Sequence, residues 1–154
     1  MSASRWKARS QFFRASVGAV IVNARGQALA FERSGIPGAW QLPQGGLEAG
    51  EEPVEAVFRE VFEETGIRQQ ELTLVRQHPD LLSYELPEEW RSEKTGRGQT
   101  QYWFLFRFNG DETRIELPEN GEFSTWKWLP LAELAEMTAT FRQAVYRRLA
   151  ADFA

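Results

Sequence analysis

Residues 45–67 read GGLEAGEEPVEAVFREVFEETGI, and the spacing of glycines, acids and apolar residues along this stretch decides how the rest of the chain is read. Gly45 and Gly46 follow Pro43-Gln44 as a tight pair, so the segment opens as a loop. Glu51-Glu52-Pro53 starts a helix: proline suits the first helical position, where its missing N–H costs nothing, and acids suit the positive end of the helix dipole. Gly66 closes the helix as its left-handed cap. In between, Val54, Val57, Phe58, Val61 and Phe62 recur at helical spacing and are expected to form the buried stripe. Glu60, Glu63 and Glu64 fall at i, i+3 and i+4, on one face at the edge of that stripe.

A run of glutamates on a helix is ordinarily a solvated face, and neighbouring acids repel by on the order of 0.2–0.5 kcal/mol per pair. A hard divalent cation offsets that repulsion. Magnesium prefers carboxylate oxygens, keeps several waters and bridges to substrate phosphates, which is the chemistry this cluster suits.

Outward from the helix, strand-like and helix-like segments alternate. Ser16 to Asn23 (SVGAVIVN) reads as a strand that turns into a second one at Ala28 to Arg33, a first hairpin. Ser34 to Gly38 is a loop by its glycines and proline. Leu72 to Gln77 and Leu81 to Leu86 are shorter strands, and Gln101 to Phe108 (QYWFLFRF) is a strong one. Pro87 to Gln99 is charged and is expected as an exposed loop. Phe123 to Leu129 alternates aromatic and polar residues like a half-buried strand. Thr138 to Phe153 is expected as an amphipathic helix with Phe141, Val145, Tyr146 and Leu149 on one side. The mixture specifies an α/β or α+β sandwich, and at 154 residues it specifies one domain.

Composition narrows the chemistry. With no cysteine, disulfide frameworks, thiolate zinc sites and cysteine nucleophiles are excluded. His78 is the only histidine, so no multi-histidine metal site is available. A net charge of −4 and a pI near 5.2 argue against extended coating of nucleic acid, while leaving recognition of one nucleotide end open. No apolar run approaches the roughly 20 residues a bilayer requires, and Met1 to Phe13 is polar and basic without a signal-peptide core, so a cytoplasmic protein without a membrane partner is expected. Nothing in the sequence specifies an oligomer.

The central stretch resembles the box that defines the Nudix hydrolases, matching it at every fixed position: Gly45, Glu51, Arg59, Glu60, Val61, Glu63, Glu64, Gly66 and Ile67. With each residue near 6% by composition, chance agreement somewhere in the chain is on the order of one in ten million or rarer. The resemblance implies a sheet-centred α/β/α sandwich with a mixed sheet, one domain over residues 1–154 with the box at 45–67. It implies magnesium, with manganese as a substitute, held by Glu60, Glu63 and Glu64 beside the backbone of Gly45 and Gly46. Arg59 then orients the helix through a glutamate such as Glu63, Glu51 helps hold the site together, and Gly66 is structural. The bound metal neutralises phosphate charge and lowers the pKa of a water for in-line attack on phosphorus. Members of the family draw a further acid from a loop, and Glu122 in PENGEF is the candidate, as metal ligand or general base.

Three further stretches resemble two subgroups of that family, the bacterial RNA pyrophosphohydrolases and the asymmetrical dinucleoside tetraphosphate hydrolases. They are FRASVG at 13–18, AWQLPQGG at 39–46 and GQTQYWF at 98–104. The ending, VYRRL at 145–149 with Phe153-Ala154, is similar to the RNA enzymes in particular. Exposed aromatics and arginines are the expected contacts for a nucleotide. Phe141 with Arg142, Arg33 and Tyr84 are the candidates, with Gln44 and Gln101 from the two glutamine-bearing stretches. The expected reaction is removal of pyrophosphate from the 5′-triphosphate end of RNA. Cleavage of diadenosine tetraphosphate is the alternative; a catalytically silent binding module and hydrolysis of damaged nucleoside triphosphates stand behind both. The mixed-charge segment PEEWRSEK at 87–94 departs from the more basic segment of the RNA enzymes.

Overall fold

Ser16 through Ile21 are buried residue after residue, the mark of a strand covered on both faces. In the computed structural model, which describes residues 11–154, this run lies within β1 (Phe13–Val22) at the middle of an eight-stranded mixed sheet. Most of Met1 to Phe13, the stretch read as lacking a signal-peptide core, lies outside the described residues. β1 runs parallel to β7 (Gly98–Phe108), from Phe13 opposite Gly98 to Val22 opposite Arg107. That long register is why both strands begin three residues before the apolar patterns that signal them. The polar residues at each start are held by pairing rather than by burial.

β2 (Ala28–Arg33) and β8 (Phe123–Leu129) carry the expected boundaries and pair antiparallel. β2 also meets β1 antiparallel through Val22 and Ala28, so the first hairpin forms. β5 (Leu72–Gln77) and β6 (Leu82–Glu85) both pair antiparallel with β7. Two strands have no counterpart among the expected elements, β3 (Trp40–Gln41) on β2 and β4 (Gln44–Gly46) on β1. At two and three residues they are too short to carry a hydrophobic period.

Alternation along the strands feeds two separate cores. Val17, Ala19, Ile21, Phe104 and Phe106 face α1 (Pro53–Thr65), meeting its Ala56, Val57 and Val61. Val20, Trp103 and Leu105 face the other way, against α2 (Leu131–Met137) and α3 (Thr140–Asp152). The architecture is therefore a single-domain α/β/α sandwich, with the helices on both faces of the sheet. Gly18 belongs to this packing, because a Cβ there would fall on the Trp103 ring. On α3, Val145, Tyr146 and Leu149 are buried and Phe141 is partly buried. The Tyr146 hydroxyl accepts the Leu42 N–H at 2.9 Å, tying α3 to the turn that leads into β4.

Three expectations need correction. Phe62 is not part of the buried stripe; it is 51% exposed, and Ala56 is buried instead. At roughly 100° per residue, Phe62 sits about 100° past Val61 and so turns out of the interface. The segment 87–99 is not loop throughout, since Glu88–Trp90 forms a 3-10 turn and Gly98 and Gln99 join β7. α2 has no counterpart among the expected elements, although Pro130 caps its start. No helix among the described residues is long and apolar enough to cross a membrane.

Candidate active site

The helix that carries the acids is fixed at both ends. Glu52 N–H donates to the Glu55 carboxylate at 3.0 Å, Pro53 occupies the first turn, and Gly66 takes φ 76° while its N–H caps Phe62 O at 2.9 Å. At about 100° per residue Glu60 and Glu64 differ by about 40°, whereas Glu63 lies about 60° beyond Glu60 on the outer side. The three acids therefore enter different surroundings. Glu64 is buried, Glu60 is partly buried, and Glu63 is exposed.

Arg59 gathers the outer acids. Its Nε and Nη2 donate to both Glu51 oxygens at 2.8 and 2.9 Å, and its Nη1 donates to Glu60 at 2.8 Å and Glu63 at 3.3 Å. Nη2 also donates to the Gly46 carbonyl at 2.9 Å, so one guanidinium ties the helix to the glycine turn. Hydrogen bonds from Arg59 and from the Glu48 N–H hold the Glu51 carboxyl down at about 2. The same pairing, with Glu51 foremost, pushes the Arg59 guanidinium above its ordinary value.

The inner acids meet the opposite conditions. Burial, then a hydrogen bond and charge shared with Glu122, and then the charge of Glu60 push the Glu64 carboxyl up to about 11, while the Gln44 N–H at 3.1 Å opposes the rise. Burial raises Glu60 as well, against the pull of Arg59. Glu122 arrives from the loop before β8. Ser34 N–H donates to Glu122 O at 2.8 Å and Ser34 Oγ to Gly121 O at 2.8 Å, and Asn120 takes φ 57° to make the turn. Arg33 Nη1 donates to the Glu122 carboxylate at 3.2 Å.

Glu60, Glu64 and Glu122 border a cavity of about 770 Å³, together with Gln44, Gly45 and Arg33. Tyr84, Phe141 and Arg142 border the same cavity. Tyr84 is itself buried, its hydroxyl bonded to Gln44 Nε2 at 2.9 Å. Gln44 thus joins the acid cluster, through its N–H, to the aromatic cluster, through its side chain. Gly45 is required by close approach, because a Cβ there would fall on the Glu60 carboxyl.

Two anticipated residues are not on the cavity wall. Gln101 is fully buried and accepts the Trp103 indole N–H at 3.2 Å; Gln99, two residues earlier on the same face of β7, borders the cavity instead. Glu63 stays outside with Arg59. Arg14 also reaches the cavity, its guanidinium lying against Gly46. Arg14 stands within the quoted stretch 13–18, but a lone arginine before an apolar strand carries no signal of its own.

The donor set suits a hard divalent cation. Carboxyls within hydrogen-bonding reach of each other, as Glu64 and Glu122 are, need a proton or a cation between them. Among the described residues no three His, Cys, Asp or Glu side chains stand as a ready-made cage. A few converging carboxylates that leave room for waters and phosphate oxygens match magnesium better than an all-protein cage would.

Comparison with known proteins agrees with this geometry. Residues 12–150 match the NUDIX domain. The chain is 40% identical to a Cereibacter sphaeroides protein named RNA pyrophosphohydrolase, across 92% of this chain and 90% of that one. It is 38% identical to the Agrobacterium fabrum RNA pyrophosphohydrolase, across 96% and 95%. Among solved structures, the E. coli dihydroneopterin triphosphate pyrophosphohydrolase shares the fold with a TM-score of 0.72 at 23% identity, covering 92% of this chain and 99% of that one. A C. elegans Ap4A hydrolase binary complex does so with a TM-score of 0.68 at 23% identity, covering 91% and 97%. The chain belongs to the Nudix family. A bifunctional NMN adenylyltransferase/ADP ribose pyrophosphatase from Francisella tularensis, solved with AMP and a manganese ion, shares the fold with a TM-score of 0.63 at 21% identity, covering 94% of this chain and 43% of that one.

Proposed function

We propose that this Nudix hydrolase removes pyrophosphate from the 5′-triphosphate end of RNA, leaving a 5′-monophosphate, with magnesium as its cofactor and manganese as a substitute. One observation carries the reading: the acid cluster and the aromatic cluster share one cavity and meet at Gln44, so phosphates and a nucleoside are accommodated together. The two relatives named RNA pyrophosphohydrolase, at 38–40% identity over nearly the whole chain, support the substrate. A net charge of −4 fits recognition of an RNA end rather than of a long strand.

Glu60 and Glu64 would hold the metal beside the Gly45 backbone, with Glu63 joining them by turning away from Arg59. When bound, magnesium neutralises phosphate charge and lowers the pKa of a water for attack on phosphorus. Arg14, Arg33 and Arg142 supply cationic contacts to the phosphates. Glu122 would serve as a metal ligand or as the base that takes the proton of the attacking water, with Arg33 keeping its carboxylate in position. Tyr84 and Phe141 border the nucleoside. The reaction belongs to the cytoplasm, where loss of the triphosphate opens RNA to decay.

The test compares triphosphorylated RNA with diadenosine tetraphosphate, both with magnesium. Faster release of pyrophosphate from RNA is the expected result. Preference for the dinucleotide moves the substrate and keeps the chemistry, while cleavage of neither removes the reading.

A further inference from the structure

Of the exposed large apolar side chains among the described residues, Ile36 and Trp90 border the cavity, and Trp90, at 57%, is the most exposed of all. A large ring left in water beside a cavity is a contact surface in waiting. Its backbone is not loose. Trp90 ends the 3-10 turn Glu88–Trp90, where its N–H donates to Pro87 O at 2.9 Å and its carbonyl accepts the Thr95 hydroxyl at 3.4 Å. Leu86 N–H donates to Arg97 O at 2.9 Å, and Arg91 Nε reaches Leu86 O at 3.0 Å, so the turn is tied across β6 and β7.

The other aromatics at this part of the cavity have little free face. Tyr84 is buried. Phe141 is met by Tyr84 at 5.5 Å, by Trp90 edge-on at 5.4 Å and 83°, and by the Arg142 guanidinium 4.7 Å above its ring. Stacking a base on Phe141 would first displace one of these neighbours. Arg142 Nε, meanwhile, is buried without a hydrogen-bond partner, a donor placed where an acceptor is missing.

We infer that Trp90 is the stacking wall for the substrate's nucleobase, held edge-on against Phe141, and that it sets the preference for a ring-bearing nucleotide over bare phosphate. The inference rests on the nucleotide reading of the cavity given above. Every base presents a π-face, and purines present the larger one, so purine nucleotides gain most.

Calorimetric titration of the full chain with guanosine monophosphate, and separately with inorganic pyrophosphate, tests this in the unaltered protein, Trp90→Ala and Trp90→Phe. Trp90→Ala is expected to weaken the mononucleotide about tenfold and pyrophosphate by less than about twofold, and Trp90→Phe to recover most of the loss. Equal weakening of both ligands, an unchanged mononucleotide affinity, or no mononucleotide binding by the unaltered chain overturns it. Neither titration requires RNA cleavage. A protein that binds the mononucleotide through Trp90 yet leaves triphosphorylated RNA intact would remove the proposed reaction and keep the wall.

Discussion

Glu51 and Glu64 are the same side chain within the same motif, yet their carboxyls are driven to opposite extremes, Glu51 down to about 2 and Glu64 up to about 11. Around Glu51, the Arg59 guanidinium supplies a cation to both carboxylate oxygens, and through the Gly46 carbonyl the same guanidinium holds the glycine turn against the helix. Around Glu64, burial removes water, Glu122 and Glu60 add like charge, and one backbone N–H is the stabilising partner that opposes them. The difference teaches that identity of residue does not divide these acids into structure and function. Under the proposed function, completed pairing at Glu51 belongs to the scaffold and incomplete pairing at Glu64 to the place left for a ligand.

The sharpest way to break that division is Glu64→Gln, which keeps shape and removes the ionisable group. The rate on triphosphorylated RNA with magnesium is expected to fall by on the order of a hundredfold or more. Thermal stability in chelator is expected to stay level or rise, because the variant no longer has to bury an ionisable group. A variant that keeps its rate, or that unfolds several degrees earlier, would place Glu64 among the scaffold acids instead.

Arg59→Ala attacks the other side. It leaves Glu51, Glu60 and Glu63 facing one another and frees the Gly46 carbonyl, so the turn under Glu60 loosens. Steady-state rates are expected to fall between about tenfold and a hundredfold, as loss of a group that orients ligands does. Unlike Glu64→Gln, this variant also loses stability in chelator, by about 1–2 kcal/mol, between the values for exposed and for buried charge networks. An Arg59→Ala protein as stable as the parent would show that the outer cluster is not scaffold.

Much of this was legible in the sequence because the box is local: its helix, both end signals and the contiguous acids are set within 23 residues. The strands at 28–33, 72–77 and 123–129 were legible for the same reason, each carrying its own pattern. What escaped depends on packing from far along the chain. Glu63 and Glu64 are adjacent letters, and only the direction of the sheet decides which is buried. Gln101 sits in a suggestive stretch, but the pairing of β7 with β1 puts it opposite Ser16 inside the fold, while Gln99 reaches the cavity. Trp90 lay in a segment read as a charged exposed loop, and a lone tryptophan among charges was the available signal. The acids on α1 also show why periodicity alone overshoots: Phe62 fits the helical repeat and still faces water.

The most discriminating effect is the pH dependence of the two clusters in chelator. Glu51 ionises below its ordinary 4.5 in the folded chain, so its contribution is present above 4.5 and is lost as pH falls toward 2. Glu64 ionises above its ordinary 4.5, so the folded chain holds a proton that the unfolded chain has released, and stability declines as pH rises from 4.5 toward 11. The metal-free protein is therefore expected to lose melting temperature between about pH 5 and about pH 9, with a shallower slope in Glu64→Gln. Magnesium competes with that proton, so the rise in melting temperature it brings is expected to be larger at the alkaline end. Thermal unfolding across this range, with and without magnesium, measures both slopes. A parent and a Glu64→Gln variant with parallel profiles would mean that Glu64 is ionised and satisfied without a cation, and the contrast with Glu51 would collapse.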